Sequence, residues 1–247
     1  MALQPLEWQA ARVTAIRPET PQTKSFKLAL PRWIAHQPGQ HYDVRLTAPD
    51  GYRTERSYSV ASEPERVGEI ELTVERIADG EVSPYLHDVL VLGDQLEVRG
   101  PVGGYFVWDV ALGGPLLLIG GGSGVVPLMA MLRHRSAQRS TIPTRLLYSS
   151  RTQEDVIYKE ELESRAHANQ QLQVAFTFTR RAPVGWSGYH RRIDAAMLDE
   201  VMRPLGDGVH TYVCGPTLLV EAVANTLVRM GVPADRIRTE RFGPTGN

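Results

Sequence analysis

"LLLIGGGSGVVPLMAMLRHR", Leu116 to Arg135, is the stretch whose reading decides the fold. Four consecutive apolar residues run into Gly120-Gly121-Gly122-Ser123-Gly124, and an apolar segment with a basic end follows. An unbroken apolar run of that length suits a strand buried on both faces, as strands of a parallel sheet are. Glycines after such a strand allow a tight turn into a helix, predicted here through Val125–Arg135. The pattern then repeats. Strands are predicted at residues 144–150, 173–180, 210–215 and 236–242, and helices at 155–166, 193–202 and 218–231. Strands alternating with helices imply a doubly wound α/β domain with a parallel sheet.

Upstream of Gly113-Gly114-Pro115 the character differs. "KSFKLAL" (24–30), "HYDVRL" (41–46), "ERSYSVA" (55–61), "EIELTVERI" (69–77) and "DQLEVRG" (94–100) are short, and most follow a Pro-Gly, Asp-Gly or lone Gly turn signal. About six short strands at this spacing predict an antiparallel β-barrel or sandwich. One short helix is expected at "SPYLHDVL" (83–90), with Ser83 as N-cap and Pro84 at the first helical position. The boundary falls near residues 109–115, dividing the chain into domains 1–110 and 111–247.

Composition sets the remaining bounds. The chain has 247 residues, 42% apolar and 22% charged, with a net charge of −1, which argues against a nucleic-acid binder. Residues 1–110 carry 11 Lys/Arg against 16 Asp/Glu, and residues 111–247 carry 16 against 12. The second domain is therefore friendlier to an anionic ligand. The single cysteine, Cys214, rules out an internal disulfide, a Cys-based zinc site and a Cys-ligated iron–sulfur cluster. No metal site is expected. No apolar run reaches membrane-spanning length and no signal peptide is evident, so a cytoplasmic, non-membrane protein is the expectation.

In an open parallel sheet, ligands bind outside the carboxyl ends of the strands. Glycines at Gly121, Gly122 and Gly124, with Ser123, would let a pyrophosphate approach the backbone while the next helix presents its first N–H groups. The third glycine of the usual dinucleotide fingerprint is Val125 here, so this stretch alone also fits a plain glycine turn. The next strand ends in Ser149-Ser150-Arg151. Arginine in that place accommodates a 2′-phosphate where an acid would meet a ribose hydroxyl; the alternative is that Ser150 caps a helix and Arg151 is solvated. Arg180 or Arg181 could add a second contact or be surface. Cys214-Gly215-Pro216 ends the fourth strand, with Cys214 either a small buried residue or part of a ring-binding site.

In the first domain, "RSYSVAS" (56–62) places Arg56 and Tyr58 on one strand face, and Ser57 and Ser59 on the other or at a bend. Arg56 could pair with a phosphate, Tyr58 could stack on a flat ring and Ser59 could hydrogen-bond its edge. Gly80, Val82 and Ser83, at the predicted helix start, could bind a second phosphate. A phosphate site beside a stacking tyrosine suggests a flavin nucleotide.

The ordered set Arg56-x-Tyr58-Ser59, Gly80-x-Val82-Ser83, Gly100-Pro101, Gly120 to Gly124, Cys214-Gly215-Pro216 and Glu240-x-Phe242 resembles the ferredoxin–NADP reductase family over almost the whole chain. The resemblance implies a flavin-binding, Greek-key β-barrel followed by an NAD(P)-binding α/β domain. It implies that Arg56 holds the flavin phosphate, Tyr58 stacks on the isoalloxazine and Ser59 reaches N5, with Ser57 beside them. Gly80 to Ser83 would bind the pyrophosphate of tightly bound FAD. Cys214 and Glu240 would line the nicotinamide site, and Phe242 would take the place of the family's terminal aromatic, or be a core residue of the last strand. The five residues after Phe242 make the chain more similar to bacterial members than to plant-type ones.

The implied reaction is hydride transfer from NADPH, in preference to NADH, to the flavin. Electrons would then pass to a separate ferredoxin, flavodoxin or oxygenase component, from a monomer. Two rival readings are an NAD(P)H:flavin reductase that uses free flavin, and a non-catalytic redox-sensing nucleotide-binding module.

Overall fold

The structure is a computed structural model that describes residues 6–243. The chain divides into two compact units. The first runs to Asp109 and takes in Met129–Ala137; the second comprises Val110–Leu128 and resumes at Gln138.

The first unit holds six strands, β1 (Gln9–Thr20), β2 (Thr23–Ala29), β3 (His41–Thr47), β4 (Arg53–Ser59), β5 (Glu69–Glu75) and β6 (Gln95–Val102), with helix α1 (Val82–Asp88) between the last two. The sheet order is β4-β3-β6-β1-β2-β5, antiparallel throughout. β6 returns to lie between β3 and β1, a Greek-key connection. Just past β4, Val60 bridges Leu72 of β5, and the Ala61 N–H donates to the Glu71 carbonyl at 2.8 Å. The two edge strands of the list thus meet, and the sheet closes. Alternation sorts the side chains as expected: Ile70, Leu72 and Val74 of β5 join Val13, Phe26, Leu28, Tyr42, Val44 and Val98 in one buried core.

The second unit holds β7 (Leu116–Gly121), α2 (Val125–Ala137, of which the second half clusters with the first unit), β8 (Thr144–Ser150), α3 (Lys159–Ala168), β9 (Leu172–Phe178), α4 (Ala195–Met202), β10 (His210–Pro216), α5 (Thr217–Arg229) and β11 (Ile237–Phe242). The five strands are parallel in the order β11-β10-β7-β8-β9. Every residue of β7 is buried, as its apolar run requires. Order reverses between β7 and β10, which makes their carboxyl ends the topological switch point.

Two local expectations fail. Helix α1 begins at Val82 with Glu81 as N-cap, so Ser83 lies inside the first turn. The Ser83 hydroxyl instead accepts the Ile77 N–H at 3.0 Å and closes the preceding turn. Helix α3 starts at Lys159, four residues later than predicted, and Ser150 caps nothing, since it is the last residue of β8. Val156 is extended and Tyr158 has φ 59°, so the chain breaks there to bury Val156, Ile157 and Tyr158. Burial of those three outweighs a helix propensity worth only tenths of a kcal/mol per residue.

One packing contact sets the position of β3, and through it β4. A Cβ on Gly100 of β6 would lie 2.6–2.8 Å from three atoms of the Tyr42 ring, which is fully buried in the barrel core. Tyr42 is in turn the register partner of Tyr58. Gly100→Ala is expected to destabilise the protein by about 1–3 kcal/mol, the usual cost of overpacking a core. Urea unfolding followed by far-UV circular dichroism measures it, and an unchanged midpoint would mean the ring yields at no cost.

Candidate functional site

In the first unit the candidate residues gather at the end of β4. Arg56 is exposed and its guanidinium donates to the Glu55 carbonyl at 2.6 Å. Tyr58, two residues on, is half-buried and packs on the barrel core. Burial pushes its phenol up to about 12, against a smaller opposing pull from Arg56, so it is neutral at any ordinary pH. Ser59, the last residue of the strand, is buried opposite His41. A cation at the surface, an apolar ring and a hydroxyl at a strand end therefore lie along one short segment.

The Ser57 side chain is tied into the barrel. Its hydroxyl donates to Asp43 at 2.7 Å, and the other carboxylate oxygen of Asp43 accepts from Arg99 at 2.8 Å. Hydrogen bonds to Ser57 and Arg99 hold the Asp43 carboxyl below its usual range despite partial desolvation. The Arg99 guanidinium also lies over the Trp8 ring, 4.7 Å from its centroid, and Arg45 lies over the same ring at 4.1 Å. Ser57 thus locks β4 to β3 and β6. Nothing in "RSYSVAS" itself signals this, because the partners lie 14 and 42 residues away in the chain.

The Gly80–Ser83 turn is built by its own hydrogen bonds. The Gly80 N–H donates to Ile77, Val82 is buried, and Tyr52 donates to the Glu81 carboxylate. Ser83 uses its oxygen as an acceptor and keeps its O–H to donate elsewhere.

In the second unit the switch point is defined by backbone contact. A Cβ on Gly124 would lie 2.2 Å from the Cys214 carbonyl oxygen and 2.6 Å from the Gly215 Cα, so only glycine lets the turn after β7 touch the end of β10. Gly120, Cys214 and Glu240 are register partners across β7, β10 and β11, forming one row at the carboxyl ends of three strands. Gly215 is buried and Pro216 exposed. Pro216 pairs with Phe242, which is half-buried on the last strand. Residues 244–247, beyond Phe242 and Gly243, lie outside the described residues.

Cys214 is fully buried, and burial pushes its thiol well above the usual range, with the Glu240 carboxylate adding to the push. It is a neutral thiol. From β8, the Tyr148 hydroxyl donates to the Gly122 carbonyl at 3.0 Å and accepts the Ile157 N–H, bracing the glycine turn from below. Sequence reasoning passed over this residue, although a tyrosine in the middle of a buried strand needs a partner for its hydroxyl.

The ends of β8 and β9 bring three arginines together. The Arg151 carbonyl accepts the N–H groups of both Arg180 and Arg181, while the Ser150 carbonyl accepts that of Thr179. Arg151, Arg180 and Arg181 are all exposed. Arg181 pairs with Glu154 at 3.1 Å, an exposed ion pair of the kind that water screens. Among the described residues no group of His, Cys, Asp or Glu is arranged to hold a metal ion, and no helix is long and apolar enough to cross a membrane.

Residues 10–107 match the oxidoreductase FAD-binding domain family, and residues 118–225 match the oxidoreductase NAD-binding domain family. A ferredoxin–NADP reductase B of Sorangium cellulosum is 34% identical over 241 residues, 94% of this chain and 96% of that protein. The glycine betaine monooxygenase reductase subunit of Chromohalobacter salexigens is 32% identical over 91% of this chain, which spans 61% of that subunit's length. The FAD/NAD-binding domain of a nitric oxide dioxygenase from Vibrio cholerae has the same fold, with a TM-score of 0.86 at 24% identity over 96% of this chain and 99% of that one. With both domain families matched in order and a relative aligned over nearly its full length, the chain belongs to the ferredoxin–NADP reductase family of oxidoreductases.

Proposed function

We propose that this protein binds FAD on its first unit, takes electrons from NADPH bound on the second, and passes them to a separate protein acceptor. The observation that carries the reading is the row Gly120–Cys214–Glu240 beside the Gly124 contact, a glycine-cleared ledge at the switch point of a parallel sheet. When bound, FAD supplies hydride acceptance at N5 and the return of electrons singly, which couples a two-electron donor to a one-electron acceptor.

The residues fit that task. Arg56 has an exposed guanidinium for a phosphate, and Tyr58 has a neutral ring seated on the barrel for stacking. Ser59, buried at the strand end, would place its hydroxyl at the ring edge near N5. The free O–H of Ser83 and the turn from Gly80 through Val82 would meet the pyrophosphate. On the second unit, the backbone of Gly121, Gly122, Ser123 and Gly124 would receive the pyrophosphate of the nucleotide, and Gly215 and Pro216 would flank its nicotinamide. The Cys214 thiol, protonated by its burial, offers a small, soft, uncharged wall, and the half-buried Glu240 carboxylate a negative charge beside it. Arg151, with Arg181 near, would meet a 2′-phosphate, and Ser150 would stand beside it.

The acceptor we infer is a ferredoxin, a flavodoxin or an oxygenase component. The ferredoxin reductase name of the Sorangium relative and the monooxygenase role of the Chromohalobacter one support that choice. We place the protein in the cytoplasm as a monomer. The test is a purified sample that is yellow, loses its flavin absorbance on anaerobic addition of NADPH, and turns over ferricyanide. Colourless protein that reduces added flavin would make it a free-flavin reductase; coloured protein inert toward ferricyanide would make it a sensor.

Two substitutions test the assignments. Ser59→Ala is expected to slow flavin reduction by more than about tenfold with flavin still bound, the loss typical of one positioned hydrogen-bonding group. Stopped-flow absorbance reads it, and an unchanged rate would remove Ser59 from the chemistry. Arg151→Ala is expected to lower kcat/KM for NADPH by about tenfold with little change for NADH, as one charge-assisted hydrogen bond is worth. Equal effects on both nucleotides would take Arg151 out of 2′-phosphate recognition.

A further inference from the structure

We propose that Arg133, on the second half of helix α2, is a positioning residue for the flavin-edge segment of β4, acting through Glu71 and Ala61. The inference rests on the proposed role of Ser59 and names what holds that residue in place.

The segment concerned is Val60–Glu65, which leaves β4 directly after Ser59. It is held at successive points. The Val60 N–H donates to the Gln40 carbonyl at 2.9 Å and the Ala61 N–H to the Glu71 carbonyl at 2.8 Å. The Ser62 hydroxyl accepts the Glu71 N–H at 3.0 Å, and the Ser62 carbonyl lies 2.9 Å from His36 Nε2. One Nη of Arg133 donates both to the Ala61 carbonyl at 3.0 Å and to Glu71 Oε1 at 2.7 Å. His134, the next residue of the helix, places Nδ1 2.7 Å from the Glu65 carboxylate. Arg133, His134 and Glu71 are all buried.

Stability alone does not account for such a pair. Burying an arginine and a glutamate together is often no better than an apolar pair of the same volume, because desolvation cancels most of the attraction. Glu71 sits on β5 between Ile70 and Leu72, whose side chains fill the barrel, so its own side chain faces outward. An apolar residue there would pack as well. What an apolar residue cannot do is hold a carbonyl at a fixed point. Arg133 fixes the Ala61 carbonyl, and Glu71 fixes Arg133, at a distance of two residues from Ser59. A strand-end hydroxyl keeps its direction only when the backbone on both sides is pinned; His41 pairs on one side, and Arg133 and Glu71 act on the other. Misplacement of a reacting contact by about 1 Å costs as much as a hundredfold in rate, so such a clamp matters to hydride transfer more than to folding.

The test compares wild type with Arg133→Gln, Glu71→Gln and Arg133→Lys as holoproteins. Visible circular dichroism and the midpoint potential of the bound flavin are read first, then the anaerobic rate of flavin reduction by NADPH. Hydrogen–deuterium exchange of the Val60–Glu65 peptide is read on flavin-free protein. Arg133→Gln and Glu71→Gln are expected to retain flavin, alter its visible dichroism, slow reduction about fivefold or more, and speed exchange in that peptide. Arg133→Lys keeps the charge and a donor, and is expected to restore most of the rate and spectrum. Wild-type rate and dichroism in both Gln variants overturns the proposal, as does a Lys variant no better than Gln. Should Arg133→Gln fail to fold, Glu71→Gln and Arg133→Lys decide in the same way. A wild-type protein that binds no flavin would instead sink the functional reading itself.

Discussion

The contact between Gly124 and the Cys214 carbonyl is the constraint on which the second unit depends. Side chains cannot occupy that space, so the turn after β7 and the end of β10, 90 residues apart in the chain, meet through backbone alone. That meeting does two things. It aligns Gly120, Cys214 and Glu240 at one level, and it holds the turn of Gly122 to Gly124 at the start of α2. The N-terminal end of a helix carries partial positive charge, and a turn without side chains lets an anion come close to it. A substitution at Gly124 would therefore disturb the row and the turn together.

The first unit solves a different problem. A strand with a half-buried ring and a hydroxyl at its end has little apolar surface of its own to hold it in place. β4 is mostly exposed, and the polar links from Ser57 to Asp43 and Arg99 supply what burial does not. Tyr58 anchors from the core side, packed near Tyr42, which Gly100 allows to sit tightly under β6. Charge-assisted hydrogen bonds hold geometry where hydrophobic contact would only hold proximity.

The architecture was legible because the two periodicities are so different. Alternating apolar residues in β5 pick out the side chains that fill the barrel, and the unbroken apolar run of β7 marks a strand buried along its whole length. The strand ends were legible for the same reason, since glycines and polar residues interrupt those runs. What could not be read was the use of each polar side chain. Ser57 and Ser83 look like ligand-binding hydroxyls in sequence, yet Ser57 donates to Asp43, and Ser83 also accepts the Ile77 N–H. Tyr148, Arg133 and His36 look like ordinary core or surface residues, yet they hold the turn after β7 and the segment after β4. Such partners come from distant strands, and no local pattern announces them. Helix α3 was misplaced for a related reason: the three residues before it are claimed by tertiary burial.

The electrostatics of Cys214 follow from this geometry. A thiolate there would have to exist without water and beside the Glu240 carboxylate, and both conditions oppose it. Burial and the neighbouring carboxylate thus both favour the thiol form of the sulfur. What remains is its size, its polarizability and one weak S–H donor. The carboxylate beside it has the complementary property: a negative charge favours a ring that is becoming positive over one that is becoming neutral. A neutral sulfur and a negative oxygen therefore stand in one row, one offering shape and the other charge. Glu240 stands on the outermost strand of the sheet and can exert its charge only because β11 holds it in register with Cys214.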